Sequence, residues 1–202
     1  VVRIVINIEG GGDNKTLQIE LRRAFSKLFE RAGFSGRMPS VDCSGSRNQA
    51  FKDFATSRKR SNVHALLLVD AEGGVAPVAP AWQHLKQRDG WSLDASVADD
   101  VHLMVQVMES WFLADRAALA QVFNPGFKPQ HLPGSEHDVE PIPRDDVEAG
   151  LASATRQSAA GVYDRRTKGK LGPRILAALD PGKLQRASSH AKRFFDRLEQ
   201  LA

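Results

Sequence analysis

The sequence predicts an α/β fold: a mostly parallel central sheet flanked by helices, with a helical C-terminal extension. Three observations carry that reading. Four apolar, β-branched runs have the length of buried strands. Stretches with helical spacing separate the first three of them. Their β-α-β-α-β order and near-continuous apolarity suit parallel strands covered on both faces.

The first run is VVRIVINI (1–8). An apolar stripe at Leu17, Leu21, Phe25, Leu28 and Phe29 follows, with Gly33 as the expected C-cap. MPSVDC (38–43) is the second and weakest strand. Ala50, Phe51, Phe54 and Ala55 mark a shorter helix ahead of VHALLLVD (63–70). Residues 73–100 are less regular: GGVAPVAP and RDGW read as turns, with a helix over AWQHLKQ between them. VHLMVQVM (101–108) is the fourth strand, and ESWFLADRAALAQVF continues as a helix. Prolines at 125, 129, 133, 141 and 143 predict an exposed loop or lid. Residues 144–157, 175–179 and 188–201 read as closing helices. Without a repeat or a clean boundary, the chain divides into an α/β core (1–123) and a Pro-rich loop with a basic helical part (124–202) packed on the same domain.

Composition narrows the function classes. Of 202 residues, 42% are hydrophobic and 26% charged, as in an ordinary globular protein. No apolar run approaches the roughly 20 residues needed to span a bilayer, and Val1–Ile8 is too short for a signal segment. The lone Cys43 permits neither an internal disulfide nor a thiolate metal cluster. A cytoplasmic setting is the simplest expectation. The net charge of +4 is unevenly spread. From Asp164 onward ten basic residues face four acids, a surplus of six, while the rest of the chain nets minus two.

In a parallel sheet, function gathers at the carboxyl ends of the strands. Glu9 ends the first strand, Asp70 ends the third with Glu72 two residues on, and Glu109 follows the fourth. Asp13 lies one short turn beyond Glu9. Several carboxylates close together raise each other's pKa, and a divalent cation relieves that repulsion. Oxygen-only ligands suit Mg²⁺ or Mn²⁺. A phosphate-binding loop is the rival reading of EGGGDNKT followed by LLLVD. The pattern GxxxxGK[ST] fails, because Glu9 and Asn14 stand where glycines are required, and two carboxylates would repel a triphosphate. Asp13 competes as an N-cap and Glu109 as a first-turn helix acid. Asp115 reads as a surface or capping acid, His64 and His102 as structural, and Cys43 as a buried hydrophobe. Arg47 and Asn48 in GSRNQAF have two readings, phosphate contacts at a helix start or, more commonly for such residues, turn-fixing ones.

IEGGGD, LLLVDAEG and MVQVMESWFLAD resemble the Toprim-like proteins, a fold shared by topoisomerases, primases and OLD-type nucleases. GSRNQAFKDF, WQHLKQRDGW, HLMVQVMESWFLAD and LDPGK…SSHAKRFFDRL more closely resemble an uncharacterised bacterial domain-of-unknown-function family in that clan, over nearly the whole chain. The resemblance implies a Toprim/Rossmann-like fold and one or two Mg²⁺ or Mn²⁺ ions. By position, Glu9 matches the first Glu, Asp13 the acid that OLD-type members add, and Asp70 with Glu72 the DxD pair. Glu72 departs from that pattern by one methylene. Glu109 matches a further ligand. Two such ions can clamp the attacking and leaving oxygens of a phosphodiester displacement.

Glu9 and Asp70 are therefore the expected catalytic acids, with Lys168 or Lys170 neutralising charge on the scissile phosphate. YDRRTKGKLGPR reads as a basic loop over the acidic crevice. Its Arg165, Arg166, Lys168, Lys170 and Arg174 are the expected nucleic-acid contacts. The resemblance implies a nuclease of anti-phage defence or DNA maintenance, served by a separately encoded AAA/ABC-type ATPase. An inactive nucleic-acid or protein-binding module is the alternative, supported by the DxE variation.

Overall fold

The computed structural model describes residues 2–202. The first β-α-β-α-β unit runs through β1 (Arg3–Gly11), α1 (Lys15–Phe29), β2 (Ser40–Gly45), α2 (Arg47–Ser57) and β3 (Val63–Asp70). Next come α3 (Ala81–Asp89), β4 (Val101–Met104), α4 (Met108–Leu113), α5 (Arg116–Phe123) and α6 (Arg144–Thr155). The chain closes with α7 (Lys168–Ala178), α8 (Pro181–Ala187) and α9 (Ser189–Leu201). The four strands are parallel in the order β2-β1-β3-β4, so the protein is α/β with a parallel sheet flanked by helices. No helix among the described residues is long and apolar enough to cross a membrane.

Side-chain alternation along the strands divides the core between the two faces. Ile4, Ile6, Ile8, Leu66, Leu68 and Met104 pack under α1 and the C-terminal helices, together with Phe25, Phe29, Trp111 and Phe194. Ala65, Leu67, Val69, Val101 and Leu103 pack under α2 and α3 with Phe54, Leu85 and Trp91. Both faces are covered, which accounts for the continuous apolar runs. Cys43 is buried, and burial pushes its thiol up to about 11.

Several boundaries differ from the sequence expectation. The Asn14 side chain accepts from the N–H groups of Thr16 and Leu17 and so caps α1; Asp13 does not. Beyond Phe29 that helix widens into a single turn over Glu30–Phe34, where Gly33 takes φ +93°. The fourth strand stops at Met104, short of residue 108. The helix expected over ESWFLADRAALAQVF is two helices, broken where Asp115 caps α5 by accepting from Ala118 N–H. Asp115 also accepts from Asp180 N–H and pairs with Lys183 at 2.7 Å, which ties α5 to α8.

The Pro-rich stretch is not an exposed lid. Phe127, Leu132, Val139 and Ile142 are buried in the main core. The buried Glu140 carboxylate accepts from the Ser188 and Ser189 hydroxyls and from His190 N–H, anchoring the start of α9. The basic stretch also departs from a loop, since α7 begins at Lys168 despite two glycines and Pro173. Gly169 permits the close approach: a Cβ there would come within 3.0 Å of Leu17 on α1.

The sheet order creates the site. From β1 the chain moves to β2 on one side, whereas β3 joins on the other. The carboxyl ends of β1 and β3 therefore flank a topological switch point, where parallel sheets leave a crevice.

Candidate functional site

The crevice holds a cavity of about 230 Å³. Glu9 reaches it from the end of β1, Asp70 from the end of β3, Glu72 from the following turn and Glu109 from the first turn of α4. Four of the five expected ligand acids thus share one cavity. Asp13 does not line it and is exposed, because the tight turn into the Asn14 cap points the chain outward. Lys168 lines the cavity from the start of α7, but Lys170 does not. On a helix, positions two apart lie about 200° around the axis, so Lys170 faces away with Arg174 one turn on. Arg165 lies beside a neighbouring hollow with Glu109, Glu148 and Tyr163, while Arg166 is exposed.

Local backbone explains how the acids arrive. The glycines after Glu9 do not form a phosphate cradle; β1 continues through Gly11 and stays paired with β2 at Gly45. The crossing is tight, since a Cβ on Gly45 (φ +77°) would sit 2.5 Å from the Gly12 carbonyl. The early end of β4 lets the chain turn so that Met108 N–H donates to Asp70 Oδ1 at 2.7 Å. Glu72 occupies the left-handed region at φ +61°, the one non-glycine residue to do so among those described. That conformation is costly for an L-residue.

The acids are held by cations that the sequence did not single out for this role. Arg47 pairs with Glu9 at 3.1 Å and donates to the Asp70 carbonyl. Its other edge is clamped by both Asp89 oxygens, at 2.9 and 2.8 Å, and its guanidinium lies over the Trp91 ring. Arg144 pairs with Glu72 and, at 3.2 Å, with Glu148. Glu109 is buried, accepts from the Tyr163 hydroxyl at 3.0 Å and lies 3.7 Å from Lys168 Nζ. Tyr163 had no sequence signal, and its burial together with the Glu109 charge holds its phenol well above the usual range.

Charge remains unbalanced. The lining carboxylates are Glu9, Asp70, Glu72, Glu109 and Glu148; the cations are Arg144, Lys168 and the Arg47 bound to Glu9. The formal excess is two negative charges. Asp70 bears most of the strain. Burial pushes its carboxyl well above the ordinary value, and the charges of Glu109, Glu9 and Glu72 push it further. Burial also raises Glu9, against the opposing pull of Arg47.

These residues fit a hard divalent cation in donor type and in missing charge. They are not preset as a ligand cluster: among the described residues, no group of three or more His, Cys, Asp or Glu side chains has metal-binding spacing. A cation would compete with Arg47 for Glu9 and with Arg144 for Glu72.

Comparison with curated proteins and with solved structures returns no match. One family model, described as a domain of unknown function (DUF4276), matches residues 8–199. Because that match takes in both the acid cavity and the C-terminal helices, the chain belongs to the DUF4276 family.

Proposed function

We propose that this protein is a Toprim-like, divalent-metal-dependent phosphodiester hydrolase acting on nucleic acid. The observation that carries the proposal is the meeting of Glu9, Asp70, Glu72 and Glu109 in one cavity at the sheet's switch point, two charges short of balance. The left-handed Glu72 adds support, because strained residues persist where their side chains serve a site. The motif resemblance adds the reaction class.

Glu9, Asp70, Glu72 and Glu109 would hold Mg²⁺ or Mn²⁺, which supplies Lewis-acid activation of water and charge neutralisation at phosphate. The chain's own groups do the rest. Glu9 Oε1, the oxygen not held by Arg47, takes a proton as the water oxygen bonds to phosphorus; the ester P–O bond breaks, and the departing alkoxide takes a proton from solvent water. Lys168 Nζ, half-exposed at the cavity mouth, offsets charge on the phosphoryl oxygens. Arg47 positions Glu9 against the end of β3, and Arg144 ties Glu72 to Glu148 on α6. Asp13 and Lys170 take no part in this arrangement. A cytoplasmic role in phage defence with a separately encoded AAA/ABC-type ATPase is an extension of the same proposal, drawn from the resemblance.

One observation favours a second reading, a binding module without catalysis. Glu9, Glu72 and Glu109 each have a basic partner, as in a purely structural cluster. Purified protein incubated with Mn²⁺ or Mg²⁺ and plasmid, single-stranded DNA or tRNA separates the two. Cleavage abolished in Glu9→Gln and Asp70→Asn supports hydrolysis. Binding without cleavage, unchanged by those substitutions, supports the module.

A further inference from the structure

Basic residues not used by the acid cavity gather along a different surface. Two adjoining hollows of about 480 and 460 Å³ form one groove where α1, α5 and α7 meet. Arg23, Lys27 and Arg31 line it from α1 and its terminal turn, Lys170 and Arg174 from α7. The acids along it are Glu20 and Glu30, leaving a formal surplus of three positive charges. The whole chain carries only +4. Most of the net charge therefore lies in this one groove.

The two rows of cations lack internal compensation. Arg23, Lys27 and Arg31 recur every fourth residue, as do Lys170 and Arg174, so like charges stack one turn apart and repel. All five are exposed. Among the described residues, none of the five forms an ion pair. Arg47, Arg144 and Lys168 at the acid cavity are all paired. The groove floor, Ala24, Val122, Pro173 and Ala177, offers no aromatic ring on which bases could stack. Pro173 lines both this groove and the acid cavity, so the two surfaces adjoin.

We propose that the groove binds the phosphodiester backbone of a polynucleotide and leads it to the acid cavity. The delivery rests on the hydrolytic reading above; the binding does not. A bound polyanion removes the repulsion within each row and releases counterions from its own backbone.

Fluorescence anisotropy tests the binding in EDTA, where metal-dependent cleavage cannot contribute. Equal-length labelled single-stranded DNA, duplex DNA and duplex RNA are titrated between 50 and 200 mM salt. Five phosphate contacts predict a log–log salt slope of about −3.5 for a single strand or about −4.5 for a duplex, roughly a 100- to 500-fold loss of affinity over that range. The quadruple variant Arg23→Gln/Lys27→Gln/Lys170→Gln/Arg174→Gln should retain a wild-type circular dichroism melt yet fall to a slope of about −1. Wild-type affinity and slope in that variant, or no binding by the wild type, would overturn the proposal. So would polyglutamate bound with the same salt slope, which would assign the groove to acidic polypeptides. Loss of EDTA binding in the variant, with no cleavage by the wild type in Mn²⁺, keeps the groove and removes the hydrolytic reading. Cleavage by a quadruple variant that binds like the wild type does the reverse.

Discussion

Replacing Glu72 by glycine should give a more stable protein than replacing it by alanine, the reverse of the usual order. Glu72 sits at φ +61° and pairs with Arg144 across a partly exposed contact. Either substitution loses that pair, worth about 0.5 kcal/mol at such exposure. Glycine relieves the left-handed strain of roughly 1–2 kcal/mol, at a cost of about 0.5–1 kcal/mol in unfolded-chain entropy. Alanine keeps the strain. The glycine variant should therefore lie about 1 kcal/mol above the alanine variant and close to the wild type. For a chain of this length that separates their melting temperatures by about 2–4 °C. Thermal unfolding followed by circular dichroism in EDTA reads the difference. Both variants should also lose Mn²⁺-dependent cleavage, because both lack the carboxylate. An alanine variant as stable as the glycine one would refute the strain and remove the argument that Glu72 is retained for its site.

Three further outcomes follow from the same geometry. Asp70→Asn should raise the stability of metal-free protein at pH 7–8. A carboxyl whose folded pKa is raised costs stability above that pKa and nothing below its unfolded value, so the gain should shrink as pH falls. Urea denaturation at several pH values checks this; a variant less stable at every pH contradicts it. Glu140 behaves oppositely. Burial opposes its charge, yet hydrogen bonds from His190 and Ser188 lower its carboxyl from 4.5 to about 2. Its contribution, on the order of 3 kcal/mol, is present above pH 4.5 and is lost as pH falls toward 2. Glu140→Gln should flatten the acid limb of the stability curve over that window. Asp115→Ala removes the α5 cap and leaves the Asp180 N–H without its acceptor, while the accessible Lys183 turns to water, a loss of about 2 kcal/mol. The urea midpoint should fall with an unchanged m-value, and a shift within experimental error would contradict the role.

The strands and the gathering of acids were legible because both are local signals. Apolar runs at Val63–Asp70 and Val101–Met104 mark buried strands, and the acids at or shortly after their ends mark the rim. The partners of those acids were not legible. Arg47 lies 38 residues from Glu9, Arg144 lies 72 from Glu72 and Tyr163 lies 54 from Glu109, and no periodicity spans such gaps. Lys168 and Lys170 looked interchangeable as loop residues; a helix beginning at Lys168 puts them on opposite sides. Prolines suggested a free loop at 124–143, but the apolar residues between them are what bury it. Asp13 was the cap the sequence suggested, but the helix begins at Lys15, so Asn14, the residue immediately before it, is the one placed to accept from the Thr16 and Leu17 N–H groups.

Mn²⁺ binding, followed by the loss of the free-ion paramagnetic resonance signal, tests the central claim most directly. Metal-free wild type should take up one or two ions saturably, and Glu9→Gln/Asp70→Asn should take up none in the same range. Mn²⁺ left free by the wild type up to millimolar concentration, or captured equally by the double variant, would contradict a metal centre at this rim.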